Sequence, residues 1–386
     1  MLKAKIAKIN KNLLNIVSTL DDNKFIDLIV YCNNSTKARQ DFEKNKDVVF
    51  CCSLDFIGAV GVRVRARVLE NIARLDNVKH ITHSASVFAQ IKKSKQAIKV
   101  ENFHNENIFG KGVNIAVIDT GCSSHFDLSF PENKVIYFKD FINKKTNQYD
   151  DNGHGTFVCG LIGGNGALSA CQNFGVAPKS NLIVLKALDE NGETTAMQIL
   201  EAMQWVYNNK EKFNIKVVCM SFGSIPLGEG DPLVGGAEEL WKKGIVVVVA
   251  AGNSGPDEKT IKSPGTSARV ITVGALDEVE DEKNFKIANF SSRGPTSYGN
   301  KPDVIAPGVN IVGLSNGSDF YKTMSGTSMS APIVAGVCAL MLEKWPDYSP
   351  NQVKMELMRS GNKIVYNRNI EGAGLIDCKK INHKFL

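Results

Sequence analysis

The chain's 386 residues are 43% apolar and 22% charged, the proportions of an ordinary folded protein; this excludes a mainly disordered chain and allows two or three domains. The net charge of +6 is unevenly placed: residues 1–97 carry 17 basic and 9 acidic side chains, a charge of +8, while the remainder carries 29 and 31. A basic module docking on a slightly acidic one accounts for this split better than a nucleic-acid surface, so no nucleic-acid partner is expected.

In chain order, the first residues are basic, but Lys8, Asn10, Lys11, Asn12 and Asn15 break every apolar run, so no signal peptide is expected there. Residues 24–31 predict a strand, Ser35 is a candidate cap for a helix reaching Lys44, and residues 47–53 predict a second strand. Residues 60–68 alternate Val and Arg, the period-two pattern of a half-buried strand. A short helix over 69–75 and a strand over 78–82 complete a β-α-β-β-α-β order, that of a ferredoxin-like α+β module. Residues 91–96 are polar and basic, a linker. The residues before Lys24 have no place in this scheme.

From about Gly112 the pattern changes. Residues 113–118, 182–187, 216–220, 245–251 and 270–273 are unbroken apolar runs, with helical stretches at 195–208 and 232–243 among them. Such alternation predicts a mostly parallel sheet covered by helices on both faces, with function gathered at the carboxyl ends of the strands. No stretch approaches eighteen apolar residues, so no membrane span is expected. Nine cysteines without metal spacing point to free thiols in a reducing compartment, which favours the cytoplasm and leaves non-classical export open.

Four constellations carry chemistry. Asp119-Thr120-Gly121 ends the first apolar strand. No second such triplet is present, so the paired-carboxylate chemistry of an aspartic protease is excluded. In Gly153-His154-Gly155-Thr156 the glycines leave an imidazole accessible at the start of an apolar helical run. Asn253, just past a buried strand in Ala251-Gly252-Asn253, is either a turn residue or an amide donor for an oxyanion. Ser328, in Gly326-Thr327-Ser328-Met329, stands at or just inside the start of an apolar helix covering 333–345. It is either a cap or a group placed where the helix end favours developing negative charge. The segment 163–166 is glycine-rich but lacks the Gly-Lys-Ser/Thr of a phosphate loop, and no such loop follows residues 113–118, which sets aside a nucleotide-binding enzyme.

Together these blocks resemble the subtilases, the subtilisin-like serine proteases, over about residues 106–361, in the family's order Asp, His, Ser. Asp127-Leu128, Gly175-Val176-Ala177-Pro178, Met220-Ser221-Phe222-Gly223, Phe290-Ser291-Ser292-Arg293-Gly294-Pro295 and Lys301-Pro302-Asp303 agree with it too. The resemblance implies a catalytic triad of Asp119, His154 and Ser328, with an oxyanion hole from the Asn253 amide and the Ser328 N–H. It implies a substrate cleft edged by Ser221, Phe222, Gly223, Ala251 and Gly252, with an apolar or broad pocket preference. It makes residues 1–95 an inhibitory propeptide that also helps residues 96–386 fold, removed by self-cleavage around Phe88, Ala89, Gln90 and Ile91. Polypeptides are the expected substrates and the propeptide the chain's own inhibitor; the oligomeric state is not implied. No cofactor is required. Calcium is possible through Asp127, although residues 163–171 lack carboxylates, and a hard cation wants six to eight oxygens. A propeptide-locked or catalytically silent subtilase acting as an interaction module is the alternative.

Two departures from the family pattern stand out. Phe157 replaces a usual second His. Cys159 replaces a small residue, and Cys122 closely follows the Asp motif. These thiols are either buried fillers or groups whose modification blocks His154; in the latter case a bulky thiol reagent inhibits.

Overall fold

The computed structural model describes residues 8–10, 13, 14, 17, 21–84, 96–277 and 285–382. The chain divides into two compact units, residues 1–87 with 317–320, and residues 88–316 with 321–386. The cleavage positions Phe88, Ala89, Gln90 and Ile91 lie outside the described residues.

The first unit contains β1 (Phe25–Cys32), α1 (Ser35–Glu43), β2 (Val48–Leu54), β3 (Ala59–Arg65), α2 (Leu69–Ala73) and β4 (Val78–His83). The strands pair antiparallel in the order β2-β3-β1-β4. Alternation decides which face is covered: Ile26, Leu28, Val30 and Cys32 of β1 and Val60, Val62 and Val64 of β3 are buried against Phe42, Leu69 and Ile72 from the helices. The cap of α1 is Asn34, whose Oδ1 accepts the Lys37 N–H at 2.9 Å, not Ser35. Among the described residues, three before Lys24 also have work here. Ile9 forms a parallel bridge with Ile81, the Asn10 N–H donates to Ile81 O at 2.9 Å, and Leu13 is fully buried in the same core. They cover the outer edge of β4, which would otherwise stand unpaired.

The second unit is built on β5 (Asn114–Asp119), β6 (Val135–Asp140), β7 (Asn181–Lys186), β8 (Ile215–Met220), β9 (Val246–Ala250), β10 (Ile271–Asp277), β11 (Lys286–Ile287) and β12 (Val304–Pro307). The sheet runs β11-β10-β9-β8-β5-β7-β6, with β12 pairing β10. Every pairing is parallel except β10 with β11. The unbroken Val/Ile runs have the predicted consequence: all of β9 and all but the first residue of β5 are buried. Edge strand β6 escapes the apolar-run criterion because it is only partly covered, with Ile136 exposed.

The helices that position the site are α3 (His154–Gly163), α4 (Ala196–Asn209), α5 (Pro232–Lys242) and α6 (Thr327–Lys344). The apolar α6 packs on α3 and on β8, β9 and β10, and fifteen of its residues are buried. A hairpin of β13 (Ile311–Leu314) and β14 (Tyr321–Met324) precedes it. Central strand β5 has neighbours that come later in sequence on both sides, so the sheet order switches there; a side chain leaving its carboxyl end enters the crevice such switch points create. Among the described residues no helix is long and apolar enough to cross a membrane.

Candidate active site

Asp119 is the last residue of β5 and is 1% exposed. Its Oδ1 accepts the Thr120 N–H at 2.8 Å and faces His154 Nδ1 at 2.7 Å. A carboxylate only accepts, so Nδ1 carries the proton and Nε2 is left as the basic nitrogen. Asp119 Oδ2 is buried without a hydrogen-bond partner among the described residues. Such an oxygen is costly in a core, and a positive charge on the adjacent imidazole offsets that cost.

His154 opens α3 and its side chain is 20% exposed. Burial works against its protonation, but the charge and hydrogen bond of Asp119, helped by the charge of Asp150 and opposed by Lys322, raise its pKa above the ordinary 6.5. A general base must be neutral to act, so the raised value moves the acid limb of kcat/KM upward. The expected limb lies above pH 6.5 in a pH–rate profile, and a limb at or below that value contradicts the assignment.

The placement of His154 depends on residues that the motifs did not single out. Asp150 accepts the Thr156 N–H and Oγ1 at 2.8 and 2.6 Å, the Gly153 N–H at 2.8 Å and Thr120 Oγ1 at 2.9 Å. Thr120 Oγ1 in turn accepts the Gly155 N–H at 2.8 Å. Despite its burial, these hydrogen bonds hold the Asp150 carboxyl below its usual value. The first-turn N–H groups of α3, which have no partners within the helix, are thereby tied to the loop after β5. Gly155 is required by close approach: a Cβ there would lie 2.1 Å from Gly121 O. Lys186, at the end of β7 and fully buried, donates to Thr120 O at 2.7 Å and pairs with Asp151 at 2.6 Å, fastening the same loops from below.

Ser328 is half-buried at the second position of α6. That helix starts at Thr327, whose N–H and Oγ1 both donate to Asn253 Oδ1, at 2.9 and 3.0 Å. With its oxygen engaged, the Asn253 amide turns its NH2 group toward the helix start, 3.2 Å from the position of a Cβ on Gly326. The Ser328 N–H, 3.7 Å from that same position and without a partner among the described residues, stands beside this exposed amide, an arrangement suited to an oxyanion. Ser221, Phe222 and Gly223 continue from β8 and pass from buried to exposed, while Ala251 and Gly252 follow β9.

Cys122 and Cys159 are both fully buried. A hydrogen bond with Cys122, then burial, pushes the Cys159 thiol well above its usual value. The thiolate is the reactive form, so the geometry favours the buried-filler reading. Iodoacetamide is expected to label the exposed Cys51, Cys52 and Cys171 and to leave hydrolysis unchanged; labelling of Cys122 or Cys159 with loss of rate would contradict this.

Asp127 does not fit a calcium ion. Its Oδ1 accepts the Leu168 N–H at 2.9 Å and its Oδ2 accepts the Tyr321 hydroxyl, so both oxygens of this buried carboxylate face donors. Among the described residues no cluster of three or more His, Cys, Asp or Glu could hold a metal. Burial, then the charge and hydrogen bond of Asp127, push the Tyr321 hydroxyl far above its usual pKa, which keeps it a donor. Tyr321→Phe removes a charge-assisted bond and leaves Asp127 Oδ2 unsatisfied; a loss of about 2–3 kcal/mol is expected in denaturant unfolding, and an unchanged midpoint would contradict it.

Residues 110–374 match the model of the subtilase family, Peptidase S8. The chain is 41% identical over 335 residues to the serine protease AprX of Bacillus subtilis strain 168, covering 80% of this chain and 75% of that one. It is 32% identical over 280 residues to subtilisin Savinase of Lederbergia lenta, covering 72% and 93%. Among solved structures, the S41 psychrophilic protease superimposes with a TM-score of 0.65 at 31% identity, covering 76% of this chain and 99% of that one. Sphericase does so with a TM-score of 0.63 at 27% identity, covering 74% and 100%. The chain belongs to the subtilase family and is a subtilisin-like serine protease.

Proposed function

We propose that this subtilase is an endopeptidase that works through an acyl-enzyme and is made as a self-processing zymogen. Ser328 Oγ attacks the peptide carbonyl while His154 Nε2 takes its proton; Asp119 holds the tautomer and stabilises the imidazolium. The tetrahedral oxyanion accepts hydrogen bonds from Asn253 Nδ2 and the Ser328 N–H. The intermediate collapses as His154 returns the proton to the leaving amine, and water repeats the cycle on the acyl-enzyme. Segment 221–223 pairs with the substrate backbone as an added strand, which makes binding tolerant of most sequences. The observation that carries the reading is the pair of fixed donors and base: Thr327 holding Asn253 Oδ1 at 2.9 Å, and Asp119 holding His154 Nδ1 at 2.7 Å.

Residues 1–95 act in this proposal as folding aid and inhibitor, with Ser86-Val87-Phe88-Ala89-Gln90 in the cleft as a product. A reducing compartment is part of it, since all nine cysteines are free. Intact mass over time, for wild type and Ser328→Ala, tests the zymogen step. Wild type should split between residues 88 and 95 while Ser328→Ala stays whole. If both stay whole, or both are cut at one place, self-processing fails.

A further inference from the structure

A lysine lies beside the oxyanion donors. Gly223 and Gly252 have no side chains, and the stem of Lys262 fills the space between them. A Cβ on Gly223 would stand 2.6 Å from Lys262 Cβ and 3.1 Å from Cγ; one on Gly252 would stand 2.4 Å from Cγ and 3.2 Å from Cβ. Backbone bonds fix this placement from both sides. The Lys262 N–H donates to Ala251 O at 2.9 Å, and Ser224 and Ser263 exchange N–H···O bonds of 2.9 and 3.0 Å. Lys262 is thus pinned to both edges of the cleft, each one residue from a glycine that leaves it room.

The position relative to a bound peptide follows from the chain itself. Gly252 precedes Asn253, and consecutive Cα atoms are about 3.8 Å apart. A peptide whose carbonyl oxygen is received by Asn253 Nδ2 therefore has the residue owning that carbonyl close to Gly252, within reach of the Lys262 side chain packed there. The ammonium is not spoken for. Lys262 is half-buried and its ammonium has no hydrogen-bond or ion-pair partner among the described residues, whereas the buried Lys186 and Lys301 each hold a carboxylate, at 2.6 Å in both cases. A partly desolvated, unpaired cation favours an anionic partner.

Resting on the protease reading above, we propose that Lys262 determines specificity: its ammonium pairs with a carboxylate on the residue at the acyl side of the scissile bond, so acidic side chains of glutamate length are preferred there. It is narrower than the apolar or broad preference that the resemblance implies. Residues 85–97 contain no Asp or Glu, and Gln90 is the neutral isostere of the preferred side chain. Self-cleavage at Gln90 then uses the right shape without the charge.

The test compares peptide p-nitroanilides that differ only in Glu, Gln or Leu before the scissile bond, for the processed enzyme and Lys262→Met. Rates are taken per site titrated by a fluorophosphonate. Wild type should prefer Glu over Gln by roughly tenfold or more, less so near 1 M salt, where the charges are screened. Lys262→Met should erase that ratio and raise the rate on Leu. If Lys262→Met does not titrate, Lys262→Gln carries the same comparison. A wild type that titrates fully yet treats Glu and Gln alike, or a ratio that survives the substitution, overturns the inference and leaves the protease reading intact. A wild type that neither titrates nor turns over overturns both.

Discussion

Ser328→Ala should lower kcat on a peptide substrate by roughly a millionfold, with KM little changed. The size is the one established for the triad serine of subtilisin, a relative of this chain. In the proposed mechanism Oγ forms and breaks the bond, while substrate binding rests on the cleft backbone. His154→Ala should cost about as much, and the double variant scarcely more, because a base without a nucleophile has nothing to activate. Steady-state kinetics on the three variants checks this. Near-additive losses would mean that Ser328 and His154 do not act as one unit.

Asn253→Ala should lower kcat by roughly a hundred- to a thousandfold, about 3–4 kcal/mol of barrier, again with little effect on KM. This magnitude is also the one known from subtilisin's oxyanion donor. The structure adds a consequence specific to this arrangement. Asn253 Oδ1 also accepts from the Thr327 N–H and Oγ1, so alanine frees two donors at the start of α6 as well as removing one donor from the oxyanion. Asn253→Asp keeps the acceptor and loses the NH2 group. It should preserve the stability of the helix start while losing at least as much kcat, since a carboxylate repels the oxyanion. Thermal unfolding run beside the kinetics separates the two roles; equal kcat for wild type and Asn253→Asp would remove the amide from the mechanism.

Much of this was legible in the sequence, for reasons that differ by element. The parallel sheet was readable because strands buried on both faces are written as unbroken runs, as in 246–250. The first unit was readable because β1 alternates strictly and β3 does so from Val60 on. The candidate site was readable because Asp119, His154, Asn253 and Ser328 sit in short motifs whose glycines permit close backbone approach; the structure sets Asp119 against His154 and Asn253 against the start of α6. Partnerships between distant positions were not readable. Tyr321 meets Asp127 across 194 residues of chain, and nothing in either neighbourhood announces it. Asp150 stands three residues before the motif that draws attention to His154, and its role appears only when Thr120, Gly153 and Thr156 converge on it. Lys262 lies among polar residues in a connection between β9 and β10, and only the glycines on either side give it meaning. Ile9 and Leu13 are set among Asn and Lys in a way that conceals a buried face, and only the edge of β4 shows what they cover.

The central claim is that Ser328 is the nucleophile activated by His154. The most direct measurement is the reaction of the purified protein with a fluorophosphonate probe, followed by peptide mapping, for wild type and His154→Ala. The account predicts one label per chain, on Ser328, and strong suppression of labelling in His154→Ala. A label on another serine, or no label on a wild-type protein that has shed its first unit, would contradict it.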